Sequence, residues 1–369
     1  MTIGLLPEGL RDRLPPFAGA AQTLLRAILD CVTAHGYRRV QPPLAEFEDT
    51  LASRLKRTGR NDLFRMVDPA SARTLALRPD ITAQIGRVAT TRLADTPRPL
   101  RLGYGGQVLK LRSTQLRPER ELCQAGAELI GSDSTAAAIE IVLVALEALS
   151  AAGVRGITLD LTLPDLVETL AADAMPLTSD KTDAVRQALD SKDAGGLTAL
   201  GADAYLPLLS AAGRLPDALA HLRALDATQI LEPRLAAIEA IATAVGEKAR
   251  ITLDPTERHG FEYQSWLGFS LFGEGLVGEV GRGGSYAVLH ADGREEVAIG
   301  FSLYIDPLVD AGLGQVPARR VFLPVTAMAN VAARLRAEGW VTVAALSGED
   351  TATSLGCSHH LVNGAPQPL

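Results

Sequence analysis

Residues 101–131, RLGYGGQVLKLRSTQLRPERELCQAGAELIG, contain the stretch that decides the fold. Polar and apolar side chains alternate in its second half, which predicts a β-strand because successive side chains of a strand point to opposite faces. Gln124, Gly126 and Glu128 then share one face, and a small polar ligand could lie over Gly126 and be held at both ends. A solvated edge strand explains the same alternation. The other face is apolar and would pack on a core: Cys123, Ala125, Ala127 and Leu129.

Four cationic residues lie in the loop predicted before this strand: Lys110, Arg112, Arg117 and Arg120. Cations in such a loop could contact a phosphate or another anion. A basic turn exposed to solvent is the alternative, and the rest of the chain has to decide between the two.

Composition narrows the class of protein. The 369 residues are enough for two domains of ordinary size. Hydrophobic residues make up 47% and charged residues 21%, which is typical of a soluble globular protein. The net charge of -7 argues against nucleic acid as the main partner, because nucleic-acid-binding proteins usually present a basic face. We see no signal peptide and no apolar run long enough to cross a membrane, so we expect a cytoplasmic protein.

The cysteines and glycines exclude several kinds of site. Cys31, Cys123 and Cys357 show no CxxC spacing and no paired histidine motif. They are therefore predicted to be small apolar core residues in a reducing compartment, and we expect no metal. No GxGxxG stands between a strand and a helix, and no GxxxxGK[ST] occurs. Neither a Rossmann nor a P-loop site is predicted, and no cofactor is expected.

The first hundred residues predict a helix, an edge strand, a hairpin and a second helix. Apolar residues at helical spacing predict the first helix, which ends at Gly36. The next strand is broken by two adjacent prolines and should lie at a sheet edge or an interface. Residues 64–67 and 74–77 predict a hairpin. Asp80 could then cap a helix or hold an ammonium group. That helix would carry Ile81, Ile85 and Val88 on one face.

The remaining chain predicts further strands around a helical insertion. A helix at about 135–152 precedes a strand at 157–163. The Ala- and Leu-rich segment 164–248 is predicted to be an inserted helical region without chemistry. The tail from residue 319 predicts a strand, a helix, a strand and then irregular chain. Strands return after the insertion at 250–253, 268–272, 276–280 and 297–303.

Strands joined by hairpins, with helices segregated before and between them, predict an α+β fold with an antiparallel sheet flanked by helices. We expect one core domain over residues 1–310, with the helical insertion at 164–248. A small α/β C-terminal unit is expected over residues 311–369.

Several motifs, taken in order, resemble a known family. They are GYRRVQPPLAEFE, LRPDIT, the stretch 101–131, ERHGFEY, GRGGSY and VAIGFSLYIDPL. Together they resemble the catalytic core of class II aminoacyl-tRNA synthetases, histidyl-tRNA synthetase in particular, over roughly residues 5–310. The resemblance implies a class II aminoacyl-tRNA synthetase-like antiparallel sheet flanked by helices, and a homodimer formed through the first motif.

The nucleotide end of the synthetase site is altered. Where the second synthetase motif has Arg and, two residues later, Glu, this sequence has Lys110 and Arg112. Lysine cannot make the planar two-pronged contact with phosphate that arginine makes. Residues 304–307, Tyr-Ile-Asp-Pro, replace the Gly-Leu-Glu-Arg of the third motif and its nucleotide-binding arginine. The resemblance therefore implies that the chain does not adenylate an amino acid.

The amino-acid end of the site is retained. The resemblance implies that free histidine is bound by Asp80, Thr82, Gln124, Glu128 and Tyr263. Possible phosphate or anion contacts are Lys110, Arg112, Arg120 and Arg258. The last of these matches the catalytic arginine of the synthetase only with a slip of one residue.

This combination is similar to one paralogous family, the regulatory subunits of ATP phosphoribosyltransferase. Such a subunit associates with a short catalytic subunit in the first step of histidine biosynthesis, and histidine is the feedback inhibitor. The resemblance implies a non-catalytic regulatory subunit with that partner. An active but diverged histidyl-tRNA synthetase and a stand-alone amino-acid sensor are the alternatives.

Overall fold

The computed structural model describes residues 5–52, 63–112, 118–258 and 264–369. The chain forms two compact units, Met1–Gly314 and Gln315–Leu369, and each has its own hydrophobic core. Among the helices of the described ranges, none is both long enough and apolar enough to cross a lipid bilayer.

The first unit is built on a large sheet and a small sheet. Its described strands are, in chain order, β1 (Arg38–Arg39), β2 (Ala45–Phe47), β3 (Arg65–Val67), β4 (Thr74–Leu77), β5 (Leu100–Leu109), β6 (Glu121–Ile130), β7 (Thr158–Thr162), β8 (Gly213–Arg214), β9 (Arg250–Leu253), β10 (Gln264–Phe272), β11 (Gly281–Leu289) and β12 (Glu295–Tyr304). The nine-stranded sheet has the order β1-β5-β6-β12-β11-β10-β7-β9-β8, and the small sheet has the order β2-β4-β3. Neighbours in the large sheet are antiparallel except β1 with β5 and β7 with β9. The predicted α+β class is confirmed.

The helices of the first unit follow the predicted pattern. They are α1 (Phe17–Ala34), α2 (Glu48–Ala52), α3 (Thr82–Thr91), α4 (Thr135–Ala151), α5 (Leu166–Ala171), α6 (Ser179–Asp190), α7 (Ala194–Ala199), α8 (Leu215–Leu225), α9 (Glu232–Val245) and α10 (Ile305–Asp310). Helix α1 buries one face at helical spacing, and Gly36 follows it with a left-handed φ of +84°. The apolar face of β6 belongs to the same core as α1 and α4: Cys123, Ala125, Ala127 and Leu129.

The helical insertion is attached to the sheet by polar contacts as well as by its core. Lys192 follows α6 with a left-handed φ of +56°, a conformation that costs energy for a residue other than glycine. Its ammonium group binds the carboxylate of Asp254 at 2.7 Å and the hydroxyl of Thr256 at 2.6 Å. These contacts tie the insertion to the segment that follows β9.

The strand predicted at 276–280 is wrong. Gly275 and Gly278 have φ values of +74° and +73°, so this segment turns instead of extending. The strand begins at Gly281, and the run GRGGSY lies inside β11. Glycine is required within this strand because a Cβ at Gly283 would lie 2.3 Å from the ring of Phe269.

The second unit has more regular structure than its sequence pattern predicted. Its elements are β13 (Arg320–Leu323), α11 (Ala329–Ala337), β14 (Val341–Ala344), β15 (His359–Val362) and β16 (Ala365–Pro368), with the sheet order β14-β13-β15-β16. The prediction of irregular chain at the end is wrong. Asn363 and Gly364 have φ values of +51° and +79° and connect β15 to β16, as an Asn-Gly pair does in a tight hairpin.

Candidate functional site

The polar face of β6 is buried. Gln124 and Glu128 are each 1% exposed, so the solvated edge strand is excluded. Strand β5 lies on one side of β6 and β12 on the other. A cavity of about 30 Å³ opens on this face of the sheet, which is room for about one water molecule. Its lining residues are Thr82, Glu128, Gln264, Arg282, Gly283, Gly284, Tyr286, Gly300, Phe301 and Ser302.

Glu128 is held by two tyrosines. Tyr104 donates its hydroxyl to one carboxyl oxygen at 3.0 Å, and Tyr286 donates to the other at 2.8 Å. Gly300 lies opposite Glu128 on β12, where a Cβ would come within 1.6 Å of the carboxyl. Burial raises the pKa of Glu128 to about 8, and the tyrosine hydrogen bonds offset only part of this effect. At neutral pH the carboxyl is therefore mostly protonated.

Gln124 connects the strand to the start of α3. Its amide nitrogen donates to Asp80 at 2.8 Å and to the hydroxyl of Ser302 at 2.5 Å. Its oxygen accepts from the backbone N–H of Ile81 at 3.2 Å. The other carboxyl oxygen of Asp80 accepts from the N–H of Thr82 at 2.7 Å. The predicted capping position was wrong by one residue, since α3 has Ile81 at its N-cap, but the carboxylate still satisfies a free N–H at the helix start.

The space over Gly126 is already occupied. Tyr104 lies directly opposite Gly126 in the register of β5 and β6, and its hydroxyl would be 2.7 Å from a Cβ at Gly126. The same hydroxyl is 2.8 Å from Ser302 and 3.2 Å from Thr82. A ligand that lies flat over Gly126 therefore has to displace Tyr104, which the strand alternation of β6 did not predict.

The structure thus brings four of the five predicted histidine-binding residues together: Asp80, Thr82, Gln124 and Glu128. Tyr263, the fifth, lies outside the described residues, as does Arg117. Arg78 was missed by the sequence interpretation. It is 5% exposed and donates to the carbonyl oxygens of Gln107 at 2.7 Å and Pro42 at 3.0 Å. Arg78 therefore joins the LRPD run to β5 and to the chain before β2.

The predicted anion contacts have partners within the chain. Arg120 donates to the carbonyl oxygens of Glu8 at 3.0 Å and Lys110 at 3.3 Å, so it holds the N-terminal segment. The ammonium of Lys110 lies 5.9 Å from the ring centre of Tyr304. The backbone N–H of Arg258 donates to Asp190 at 3.0 Å, whereas its side-chain Nε is buried and has no hydrogen-bond partner among the described residues. Arg112 is exposed, and the cavity lining within the described part of the chain includes none of these four cations.

Helix α10 begins at the position that corresponds to the third synthetase motif, residues 304–307. Tyr304 is 5% exposed and ends β12, and Pro307 lies in the first turn of α10. Between them, Asp306 accepts from the N–H of Cys123 at 2.7 Å and pairs with Arg13. This carboxylate fixes the N-terminal segment and the start of β6, where the synthetases place a nucleotide-binding arginine by the resemblance above.

Comparison with known proteins agrees with this geometry. A family model for histidyl-tRNA synthetase matches residues 9–308. The crystal structure of an ATP phosphoribosyltransferase regulatory subunit/histidyl-tRNA synthetase from Bacillus halodurans is 25% identical, with a TM-score of 0.82 over 96% of each chain. Histidyl-tRNA synthetase from Nostoc sp. PCC 7120, at 16% identity, has the same fold, with a TM-score of 0.78 over 97% of this chain and 91% of that one. The fold is that of the histidyl-tRNA synthetase class.

Curated relatives define the family within that class. The ATP phosphoribosyltransferase regulatory subunit of Rhodospirillum centenum is 42% identical over 100% of this chain and 97% of its own length. That of Paramagnetospirillum magneticum is 42% identical over 97% of this chain and 96% of its own length. This chain belongs to the family of ATP phosphoribosyltransferase regulatory subunits.

Proposed function

We propose that this chain is the non-catalytic regulatory subunit of an ATP phosphoribosyltransferase complex, and that it binds free histidine for feedback inhibition. The observation that carries the histidine site is the polar cluster of Asp80, Thr82, Gln124 and Glu128, in which Gln124 and Glu128 are buried and Thr82 and Glu128 line the cavity. Buried polar groups that converge on a cavity favour a ligand site, because they are costly to keep in an apolar fold.

Each retained side chain suits one end of histidine. Asp80 and Thr82 lie at the start of α3 and would hold the ammonium group. Glu128 lies further along β6 and would accept the imidazole N–H, with Gln124 between them able to donate or to accept. Tyr263, on the run ERHGFEY, is proposed as the fifth contact.

Histidine needs an opened site. Pockets for small ligands measure roughly 300–1,000 Å³, whereas this cavity measures about 30 Å³. The hydroxyls of Tyr104 and Tyr286 occupy both oxygens of Glu128 and have to move when histidine binds. The closed and opened arrangements are two states that histidine would bind unequally, which is the requirement for feedback control. Typical coupling free energies are about 1–3 kcal/mol.

The same chain is proposed to lack aminoacylation activity. Pro307 supplies no cation where the synthetases use arginine, and Lys110 and Arg112 stand where the second motif has Arg and Glu. Electrostatic stabilisation of the moving phosphate charge would therefore be weak. The alternative of a diverged synthetase is tested by histidine-dependent exchange of pyrophosphate into ATP.

The proposed partners are a short catalytic chain of ATP phosphoribosyltransferase and a second copy of this chain, in the cytoplasm. The homodimer proposal rests on the proline-broken segment 38–44, which resembles the dimer motif of the synthetases. Its regular part, β1 (Arg38–Arg39), forms one end of the nine-stranded sheet, and the open backbone groups of a sheet edge can pair with another chain.

The experiment is reconstitution from purified chains. The short catalytic chain alone should transfer the phosphoribosyl group to ATP slowly. This chain should co-purify with the catalytic chain, and its addition should raise the rate of transfer. A catalytic chain that neither binds this chain nor is activated by it would refute the proposed partnership.

A further inference from the structure

A second group of polar side chains lies on the other side of the main sheet from the cavity. Cys31 is on the last turn of α1, His35 is the residue that caps its C-terminus, and Glu147 is on α4. The thiol sulfur, an imidazole nitrogen and a carboxylate oxygen all lie within 4.8 Å of one another. His35 Nε2 and Glu147 Oε2 are separated by 3.0 Å.

We propose that these three side chains form a binding site for a divalent transition-metal ion of the zinc type. A thiolate, an imidazole and a carboxylate are the three ligand types that zinc accepts in proteins. Three protein ligands leave a fourth tetrahedral position for water. Hard cations such as magnesium and calcium are excluded, because they prefer an all-oxygen set of ligands.

Metal binding would require only small movements of the three ligand atoms. Zinc bonds to these atoms measure roughly 2.0–2.3 Å, which places tetrahedral ligand atoms about 3.3–3.7 Å apart. Ligand atoms that lie up to 4.8 Å apart therefore have to approach by about 1.5 Å at most, and the His35–Glu147 pair has to widen by about 0.3 Å. Cys31 and His35 are four residues apart and share one side of α1, since helical neighbours recur at this spacing. Glu147 can supply the movement because its side chain is 63% exposed.

The end of α1 favours a cation, whereas burial of the thiol opposes the ionisation that metal binding needs. The C-terminus of a helix carries a partial negative charge, and α1 ends here, at Ala34. Burial, followed by the charge of Glu147, raises the pKa of the Cys31 thiol to about 11. The thiol is therefore protonated when no metal is bound. Binding forms the sulfur–metal bond and releases the thiol proton to water.

The sequence alone could not reveal this group. The spacing between Cys31 and His35 is unremarkable on a helix, and Glu147 is more than a hundred residues away along the chain. The competing interpretation is an ion pair between His35 and Glu147 beside an apolar cysteine. The two interpretations differ in whether the thiol becomes a ligand.

Cobalt is the direct probe, because a thiolate bound to Co²⁺ gives a charge-transfer band in the near ultraviolet. The purified full-length chain should bind one equivalent of Co²⁺ with this band, and excess Zn²⁺ should remove it. Cys31→Ser should abolish the band. Cys357→Ser is the matched control, because it removes a buried thiol of the second unit and should leave the band unchanged.

Glu147→Gln gives a second test that does not depend on core packing, since Glu147 lies on the surface. It should weaken Co²⁺ binding by at least about tenfold. The site is overturned if the parent chain gives no charge-transfer band. It is equally overturned if the band survives Cys31→Ser or if Glu147→Gln binds Co²⁺ as tightly as the parent.

Discussion

Replacing Glu128 with Gln tests whether the buried carboxyl beside the cavity is neutral in the folded protein. Burial raises its pKa from the ordinary 4.5 to about 8, so at neutral pH the folded protein retains the proton. A protonated carboxyl and an amide have the same shape, and each has an acceptor oxygen and a donor. Gln should therefore fit between Tyr104 and Tyr286 without loss of folding.

The magnitude follows from proton linkage. Between about pH 4.5 and pH 8 the folded protein binds a proton at Glu128 that the unfolded chain does not bind. The free energy of unfolding of the parent therefore falls as the pH rises through this window, and this effect is complete above about pH 8. The separation between the two pKa values, at about 1.4 kcal/mol per pH unit, corresponds to at most about 5 kcal/mol. A glutamine at position 128 has no ionisable proton, so the stability of the variant lacks this pH dependence.

The assay is urea unfolding of the parent and Glu128→Gln at several values from about pH 5 to about pH 8. All other groups titrate in both proteins, so their effects cancel in the difference. The free energy of unfolding of the variant minus that of the parent should increase as the pH rises, by several kcal/mol over the series. A difference that stays constant would mean that Glu128 is ionised when folded, and would refute the reasoning.

Glu140→Gln is the matched control, because Glu140 is a carboxylate with the opposite environment. Arg101 donates to both of its oxygens at 2.7 Å, and this contact lowers the pKa of Glu140. A lowered pKa gives a stabilising contribution that is already complete above about pH 6. The control should therefore be less stable than the parent, by an amount that does not change between about pH 6 and pH 8.

Three further predictions concern binding, chemistry and the insertion. Asp80→Ala should weaken calorimetric histidine binding by about tenfold or more, because it leaves the ammonium group of the ligand unpaired and an unpaired buried charge costs roughly 2–5 kcal/mol. Glu128→Gln should weaken binding by a similar factor, because the neutral carboxyl can lose its proton and pair with the imidazole when histidine binds, whereas an amide cannot ionise; unchanged affinity in both variants would contradict the assignment. Histidine-dependent pyrophosphate exchange should stay at background, and clear exchange would favour the synthetase alternative. Lys192→Met should lower the free energy of unfolding by about 1–3 kcal/mol, because it leaves the carboxylate of Asp254 without its cation. Arg223→Met, in an exposed ion-pair network of the same insertion, should have a clearly smaller effect, and equal losses would refute the distinction.

Parts of the fold and of the site were predictable because the sequence patterns are local. The alternation in 122–129 assigned Gln124 and Glu128 to one face of a strand, and the structure confirms the face. The periodicity of α1 and the turn signal before β4 were equally local. Each of these patterns depends on neighbouring residues, and burial on one side is sufficient to fix it.

The closure of the cavity was not predictable from the same patterns. Tyr104 covers Gly126 because β5 and β6 pair in one particular register, which places a tyrosine opposite a glycine. That register depends on the hairpin as a whole and on its packing. A search for an aromatic residue opposite Gly126 would have found Tyr104, but only after the pairing was known.

The strand predicted at 276–280 failed for a different reason. Its apolar residues suggested an extended segment, but Gly275 and Gly278 adopt left-handed backbone conformations that end β10 and start a turn. The glycines of the run GRGGSY that follows it serve close packing within β11 instead of a turn. Glycine permits both uses, and only the packing of neighbouring strands distinguishes them.

The central claim is that histidine at Glu128 controls a catalytic partner. The most direct measurement is the rate of phosphoribosyl transfer to ATP by the reconstituted complex, titrated with histidine, for the parent and for Glu128→Gln. We predict that both chains activate the catalytic subunit, that histidine inhibits the parent complex, and that the variant complex loses this inhibition. A variant complex that stays as sensitive to histidine as the parent would contradict the claim and place the feedback site elsewhere.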